Sequence, residues 1–367
     1  MPARNRLLSL VATLGVVALL ATGCGSSDDA AAVPLPANTK GLSTLSATLQ
    51  GGGSSFQDTF EQQVSSDFTS VVDQLGGTVA ITYTKSGSSD GKKSLADETV
   101  DFAGSDSPIK DDERAGFGDR RMLYFPIMGG PITVAFHLKG VKALDLRPAT
   151  IAAIFQADIT TWDDEAIQAD NPGVDLPHTR ITVVHRSDGS GTTSNFTKFL
   201  VAAAPKAWKL GAGETVNWPT STQGAEKSTG VTTAIKATNG AVGYADLADA
   251  AKELLSVARV ANPSGAFTAP TPDNASAALG AARVGADLVF DPLNVDAEGA
   301  YPITSPTWVI VDAVQANQGQ ADAIKAYLRY VLTAGQAQAK VLLYAPLPKP
   351  LARLAVAHLD EITAARS

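Results

Sequence analysis

An α/β fold with largely parallel sheets is predicted for this chain, and three observations predict it. Apolar runs of strand length recur, stretches of helical period separate them, and Gly/Ser-rich loops stand at strand-to-helix junctions. The strand-like runs are Val79–Tyr83, Met122–Ile127, Ile132–Phe136, Ile181–Val184, Ala241–Tyr244 and Trp308–Val311. The first helical pattern carries Phe56, Phe60, Val64 and Phe68 at intervals of four, which puts the four side chains on one face. Further helices are expected over Ala149–Phe155, Asp163–Ala169, Ser194–Ala204, Thr229–Thr238 and Gln320–Leu343. Asn239-Gly240 supplies a C-terminal stop before the next strand.

The N-terminal residues read as addressing. Arg4 and Arg6 precede the apolar run Leu7–Leu20, and the small residues of Ala21-Thr-Gly-Cys24 suit cleavage, so residues 1–23 are expected to be a signal peptide. The run is shorter than the roughly 20 apolar residues that a membrane-spanning helix needs. Cys24 is the only cysteine in 367 residues, so it has no disulfide partner within the chain. It resembles a lipobox cysteine, with Ala21 where Leu is commoner. Lipid on Cys24, palmitate included, would anchor the folded part to the cell membrane on its extracytoplasmic side. Residues 24–45 are rich in Gly, Ser, Ala, Asp and Pro without apolar period, and are expected to be a flexible tether reaching about 25 Å.

From about Ser46 onward the chain is long enough for two sizeable domains, and no later run is long enough to span a membrane. The formal charge is −8 with no basic run or stripe, which argues against a nucleic-acid partner. Four scattered histidines and one cysteine offer no metal-ligand spacing, and no phosphate-binding G-x-x-x-x-G-K-[ST] occurs, so neither metal nor cofactor is expected.

Three loops carry the chemistry: Gly51-Gly-Gly-Ser-Ser-Phe56, Ser86-Gly-Ser-Ser-Asp-Gly91 and Arg186-Ser-Asp-Gly-Ser-Gly-Thr192. Each opens a helix-like stretch, where unpaired N–H groups and the positive end of the helix dipole favour an anion. Donors are offered by N–H groups near Phe56, Gly191 and Thr192 and by the hydroxyls of Ser55, Ser88, Ser190 and Thr192. Arg186 adds a planar fork of N–H groups, and Asp188 two residues on is placed to orient it. The loops are far apart in sequence, so a ligand touching all three is expected between two domains. Asp106 is the candidate acceptor. A carboxylate beside a bound anion is favourable only when the anion carries a proton, as hydrogen phosphate does and sulfate does not. By analogy with sites that reject a ligand lacking one buried hydrogen bond, discrimination of about 10⁴–10⁵-fold is attainable.

Leu49-Gln-Gly-Gly-Gly-Ser-Ser-Phe56, Gly87-Ser-Ser89, Val100-Asp-Phe-Ala-Gly-Ser-Asp106, Trp162-Asp-Asp-Glu-Ala-Ile167 with Asn171-Pro-Gly173, Arg186-Ser-Asp-Gly-Ser-Gly-Thr192 and Tyr301-Pro-Ile-Thr-Ser305 together carry a family resemblance. In order and over nearly all of the folded part, the chain resembles the phosphate-binding lipoproteins of bacterial phosphate ABC transporters. The resemblance implies a periplasmic-binding-protein fold, two α/β lobes with a double-crossover hinge, that closes on inorganic phosphate. It implies delivery to ABC transporter permease subunits in the membrane, by a monomer that is not an enzyme. Lobe 1 is expected over residues 46–128 plus 304–367 and lobe 2 over 129–303. By motif, Ser55 and Phe56 donate from the first loop, Ser88 from the second, and Asp106 accepts the phosphate proton. Arg186 binds the anion, Asp188 holds Arg186, and Ser190, Gly191 and Thr192 complete the cage. Two residues depart from the family pattern: Gln57 stands where Pro is frequent, and Asp90 where Gly is common. Asp90 is expected to face solvent or Lys92 and Lys93.

Two rivals stand beside this reading. Gly87-Ser-Ser-Asp-Gly91 matches G-x-S-x-G, which would make Ser89 a hydrolase nucleophile with one of His137, His178, His185 and His358 as base. The nearer rival is a binding protein for another oxyanion: sulfate, molybdate, phosphite or arsenate. Asp106 argues against sulfate and molybdate, whereas phosphite and arsenate can carry a proton. Trp162, Trp218 and Trp308 read as packing residues.

Overall fold

The structure, a computed structural model, describes residues 33–365. The expected signal peptide, Cys24 and the start of the tether lie outside the described residues. Among the described residues no helix is long and apolar enough to cross a membrane.

The main sheet has nine strands: β1 (Ser46–Gly53), β2 (Thr78–Lys85), β3 (Phe102–Ser105), β4 (Met122–His137), β5 (Thr182–Arg186), β6 (Gln223–Ala225), β7 (Ala241–Asp246), β8 (Ser256–Val257) and β9 (Thr304–Asp312). Their spatial order is β2-β1-β3-β9-β4-β7-β5-β6, with β8 also paired to β4. The helices that matter for the site are α1 (Asp58–Gln74), α2 (Ser88–Ala96), α3 (Pro148–Phe155), α4 (Glu165–Asp170), α5 (Gly191–Ala203), α6 (Lys227–Ala237), α7 (Gln318–Leu332) and α8 (Gln336–Val341).

The α/β alternation is present, but the sheet is mixed rather than largely parallel. β1 pairs in parallel with β2 and β3, and β5 with β6 and β7, whereas β9 and β4 run antiparallel to their neighbours. The two antiparallel strands are the ones that carry the chain between the two parallel groups.

Two expected strands, Met122–Ile127 and Ile132–Phe136, are one strand of 16 residues. Pro126 and Pro131 do not break it. The register against β9 shifts between Thr307 and Trp308, opposite Met128 and Pro126, so a bulge absorbs the first proline. Pro131 falls where β4 changes partner: Met122–Pro131 pairs with β9, and Ile132–His137 with β7. Buried on both faces, β4 reads as a near-continuous apolar run.

The expected helix over Gln320–Leu343 is two helices, α7 and α8, separated at Thr333-Ala334-Gly335. Thr333 leaves helical geometry and gives its hydroxyl to the Tyr330 carbonyl at 3.5 Å and to that of Arg329 at 2.5 Å. The four-residue stripe of α1 is as predicted: Phe60, Val64 and Phe68 are fully buried, with Val71 and Val72 extending the face. Phe56 precedes the helix and packs on Tyr344, the ring centroids 5.8 Å apart. The first Gly-rich segment is a strand end rather than an open loop. Gly51, Gly52 and Gly53 pair with both β2 and β3, and Gly53 has φ +139°, where a side chain would overlap the Gly104 carbonyl.

Candidate anion-binding site

The three loops meet. Gly87 has φ +102°, and a Cβ there would lie 2.8 Å from the Gly189 carbonyl and 2.9 Å from Asp188 Oδ2, so the second loop and the third are in contact. Gly87 N donates to Gly53 O at 2.7 Å, tying the second loop to the first. A Cβ on Gly191 would fall 2.6 Å from Ser88 Oγ and 2.8 Å from Asp106 Cβ, so the start of α5 abuts both α2 and the end of β3.

Asp106 sits at the centre and is 1% exposed. Its Oδ1 accepts from Ser54 Oγ at 2.6 Å and contacts Thr307 Oγ1 at 2.8 Å, while Oδ2 accepts from Thr192 Oγ1 at 3.2 Å. Its backbone N–H donates to Ser88 Oγ at 3.3 Å, and Asn195 Nδ2 donates to its carbonyl at 2.7 Å. Burial pushes the carboxyl up to about 6, against hydrogen bonds from Ser54, Thr307 and Thr192 and the charge of Arg186. A carboxyl poised there can both hold and accept a proton near neutrality.

Arg186 and Asp188 are paired as expected. Arg186 Nε donates to Asp188 Oδ1 at 2.7 Å and Nη2 to Oδ2, which leaves Nη1 outside the pair. Burial raises the Asp188 carboxyl, but Arg186 and Lys227 outweigh it and hold the group at about 2. Phe56 N donates to Ser54 Oγ at 3.0 Å, so Ser54 relays that N–H to Asp106. Ser55 instead meets Ser228: Ser228 N donates to Ser55 Oγ at 3.2 Å. Ser190 caps α5, its Oγ accepting from Thr193 N at 3.1 Å, and Gly191 and Thr192 form the first turn.

Several residues at this junction were missed by sequence reasoning. Ser54 was visible beside Ser55, and Thr307 lies just after Tyr301-Pro-Ile-Thr-Ser305, but neither side chain's direction is legible without the sheet register. Lys227 gives its N–H to Asp188 at 3.0 Å and its Nζ to the Ser86 carbonyl at 2.6 Å. Glu214 has no motif around it. It is 2% exposed, in a segment with no helix or strand, and gathers donors from the other side of the junction. Its Oε1 accepts from Lys92 at 2.7 Å and from Ser107, and its Oε2 from Ser89 at 2.6 Å and Lys110 at 2.9 Å. Burial raises this carboxyl, but Lys92 with the Ser107 and Ser89 hydrogen bonds outweighs it and holds it at about 2.

Asp90 is exposed, the first of its two expected settings, while Lys92 is buried against Glu214 and Glu113 and Lys93 pairs with Asp97. The hydrolase rival gains no support at Ser89, whose hydroxyl donates to Glu214, while His178 bonds Asp163, His185 the Arg186 carbonyl and His358 Glu361. A separate surface cleft of about 700 Å³ between residues 36–46 and α7 shares no residue with the cluster.

Buried hydroxyls, helix starts and one oriented guanidinium gather at the meeting of two sheet halves, and residues 38–334 match a family model described as a PBP superfamily domain, which makes the chain a solute-binding protein by family. Phosphate-binding protein PstS3 of Mycobacterium bovis is 33% identical over 94% of this chain and 95% of its own. Phosphate-binding protein PstS of Xylella fastidiosa is 31% identical over 92% and 93%. A high-affinity periplasmic phosphate-binding protein solved with phosphate shares the fold with a TM-score of 0.71, at 24% identity over 85% of this chain and 93% of its own. The chain belongs to this PstS family of phosphate-binding proteins, within the PBP superfamily, and is not an enzyme.

Proposed function

We propose that this protein binds inorganic phosphate outside the cytoplasm and delivers it to an ABC-type importer. The observation that carries the reading is Asp106: a buried carboxyl held near neutrality, ringed by hydroxyls and helix starts, with Arg186 charged nearby. Such a site rewards an oxyanion that brings its own proton. Ser55, Phe56, Ser88, Arg186, Ser190, Gly191 and Thr192 surround the anion, with Asp188 aligning Arg186. Desolvating a dianion is offset only by many donors together, each charge-assisted bond contributing roughly 1.5–3 kcal/mol.

The mechanism is capture and closure of two lobes, residues 46–128 with 304–367 and residues 129–303. The exchange of β4's partner at Pro131 and Ile132 and the return of the chain at β9 support that division. Phosphate contacts both lobes and thereby stabilises the closed form. Lipid on Cys24 and the tether that follows keep the monomer beside the permease. Isothermal titration with phosphate, arsenate, phosphite and sulfate tests the reading. Tight phosphate binding with no measurable sulfate heat is expected, and sulfate binding of similar strength would overturn it.

A further inference from the structure

Behind Asp106 lies a buried ring of polar side chains outside the residues assigned to the anion. Gln57, just ahead of α1, is fully buried, as is Thr307 on β9, and Tyr83 on β2 is 7% exposed. Gln57 Nε2 donates to Tyr83 Oη at 3.1 Å, and Tyr83 Oη donates to the Ser54 carbonyl at 2.8 Å. Since Tyr83 gives its single proton to Ser54, it accepts from Gln57, and this fixes the amide with Oε1 toward Thr307. Room for the amide comes from Gly104 on β3, where a Cβ would overlap both Gln57 Nε2 and Tyr83 Oη.

Thr307 has one hydroxyl proton and three acceptors around it. They are Gln57 Oε1 at 2.7 Å, Asp106 Oδ1 at 2.8 Å and the Ser105 carbonyl at 3.3 Å. If the proton points to Gln57, an ionised Asp106 faces a Thr307 lone pair at hydrogen-bond distance. If it points to Asp106, the buried Gln57 oxygen loses its donor, which is costly. A proton on Asp106 Oδ1 resolves the conflict, because Asp106 then donates to Thr307 and Thr307 to Gln57.

We propose that Gln57 is a positioning residue which competes with Asp106 for the Thr307 hydroxyl and so sets the proton occupancy of the Asp106 carboxyl. The inference rests on the reading of Asp106 as the phosphate partner. In that role the occupancy decides whether Asp106 meets the anion as donor or acceptor, and hence at which pH phosphate is held. The charged and titratable groups facing Asp106 are Arg186 on β5, which favours the ionised form, and Tyr83 on β2, with Glu61 of α1 beyond it. Changing Gln57 to an apolar residue of similar length leaves Arg186 and Glu61 in place and takes from Tyr83 only the hydrogen bond it accepts, a change that the Thr307→Val background shares.

The test is a carboxyl ¹³C titration of ligand-free protein labelled at aspartate, with Asp106 assigned by Asp106→Asn. Gln57→Leu releases Thr307 to donate to Asp106, and the Asp106 midpoint is expected to fall by about one pH unit, tenfold in proton affinity. In a Thr307→Val background the same substitution is expected to leave the midpoint where it is. Gln57→Met carries the test if Gln57→Leu loses its cooperative melting transition. A midpoint unchanged by either Gln57 variant, or one that moves equally in the Thr307→Val background, overturns the proposal. Calorimetry with phosphate on the wild type keeps the two readings apart: absence of binding removes the phosphate assignment while the carboxyl titration still reads Gln57 directly.

Discussion

Lys92 and Glu214 form a 2.7 Å ion pair across 122 positions of sequence, with side chains only 1% and 2% exposed. Lys92 belongs to α2, which packs on the strands of the first parallel group, and Glu214 to the segment between α5 and β6 in the second. The pair therefore fastens the two groups beside the candidate anion site. Ser89, Ser107 and Lys110 add three more donors to the same carboxylate. Each is within a few residues of the site: Ser89 adjoins Ser88, and Ser107 adjoins Asp106.

Removing the charge at Glu214 leaves Lys92 buried with Glu113 alone, and breaking one side of a buried pair costs about 3–5 kcal/mol. Glu214→Gln is expected to lower the melting temperature, enlarge the radius of gyration in small-angle scattering and speed phosphate release. Unchanged scattering and release would show that the pair does not fasten the lobes.

Asp106→Asn replaces a proton acceptor by a group that can also donate. The expected outcome is a fall of at least about 10²-fold in the preference for phosphate over sulfate, with sulfate now giving measurable heat. Retained discrimination would place the selective group elsewhere.

Arg186→Met removes the charge-assisted bonds from the anion and leaves Asp188 with Lys227 alone. Phosphate affinity is expected to drop about 10–100-fold, the equivalent of one strong charged hydrogen bond. Asp188→Asn is expected to cost less, because Arg186 keeps its charge and loses only its alignment. A loss for Asp188→Asn equal to that of Arg186→Met would contradict those roles.

The pH dependence of stability has two opposite limbs. Glu214 is held at about 2 against an ordinary value of 4.5, so its contribution is present above 4.5 and lost as pH falls toward 2. Burial pushes Glu61 up to about 7, so its contribution is fully present below 4.5 and is lost as pH rises through 7. Melting temperatures of Glu61→Gln are therefore expected to vary less than those of the wild type between pH 4.5 and 7. Equal slopes would show that Glu61 does not carry that limb.

The sequence was most legible where local chemistry and long-range geometry agree. The stripe of α1 and the capping Ser190 follow from helical period and from an N-cap serine, and the Arg186–Asp188 pair needs only two residues of separation. Legibility failed where a distant partner decides the outcome. Met122–Ile127 and Ile132–Phe136 look like two strands until β9 supplies a bulge and β4 a change of partner at Pro131. Lys92 looks like a partner for Asp90 until Glu214, more than a hundred residues away, arrives to neutralise it. Gln57 read as a mere departure from a pattern, because the gap it fills is made by a glycine on another strand.

β4 passes from one sheet half to the other without a loop, hydrogen-bonded up to Pro131 on one side and from Ile132 on the other. A junction so short leaves no slack in the chain between the two halves. Glu214, Lys227, Asn195 and Ser228 add contacts between the halves beside it. The one continuous strand therefore ties the two halves covalently and by hydrogen bonds at the same point.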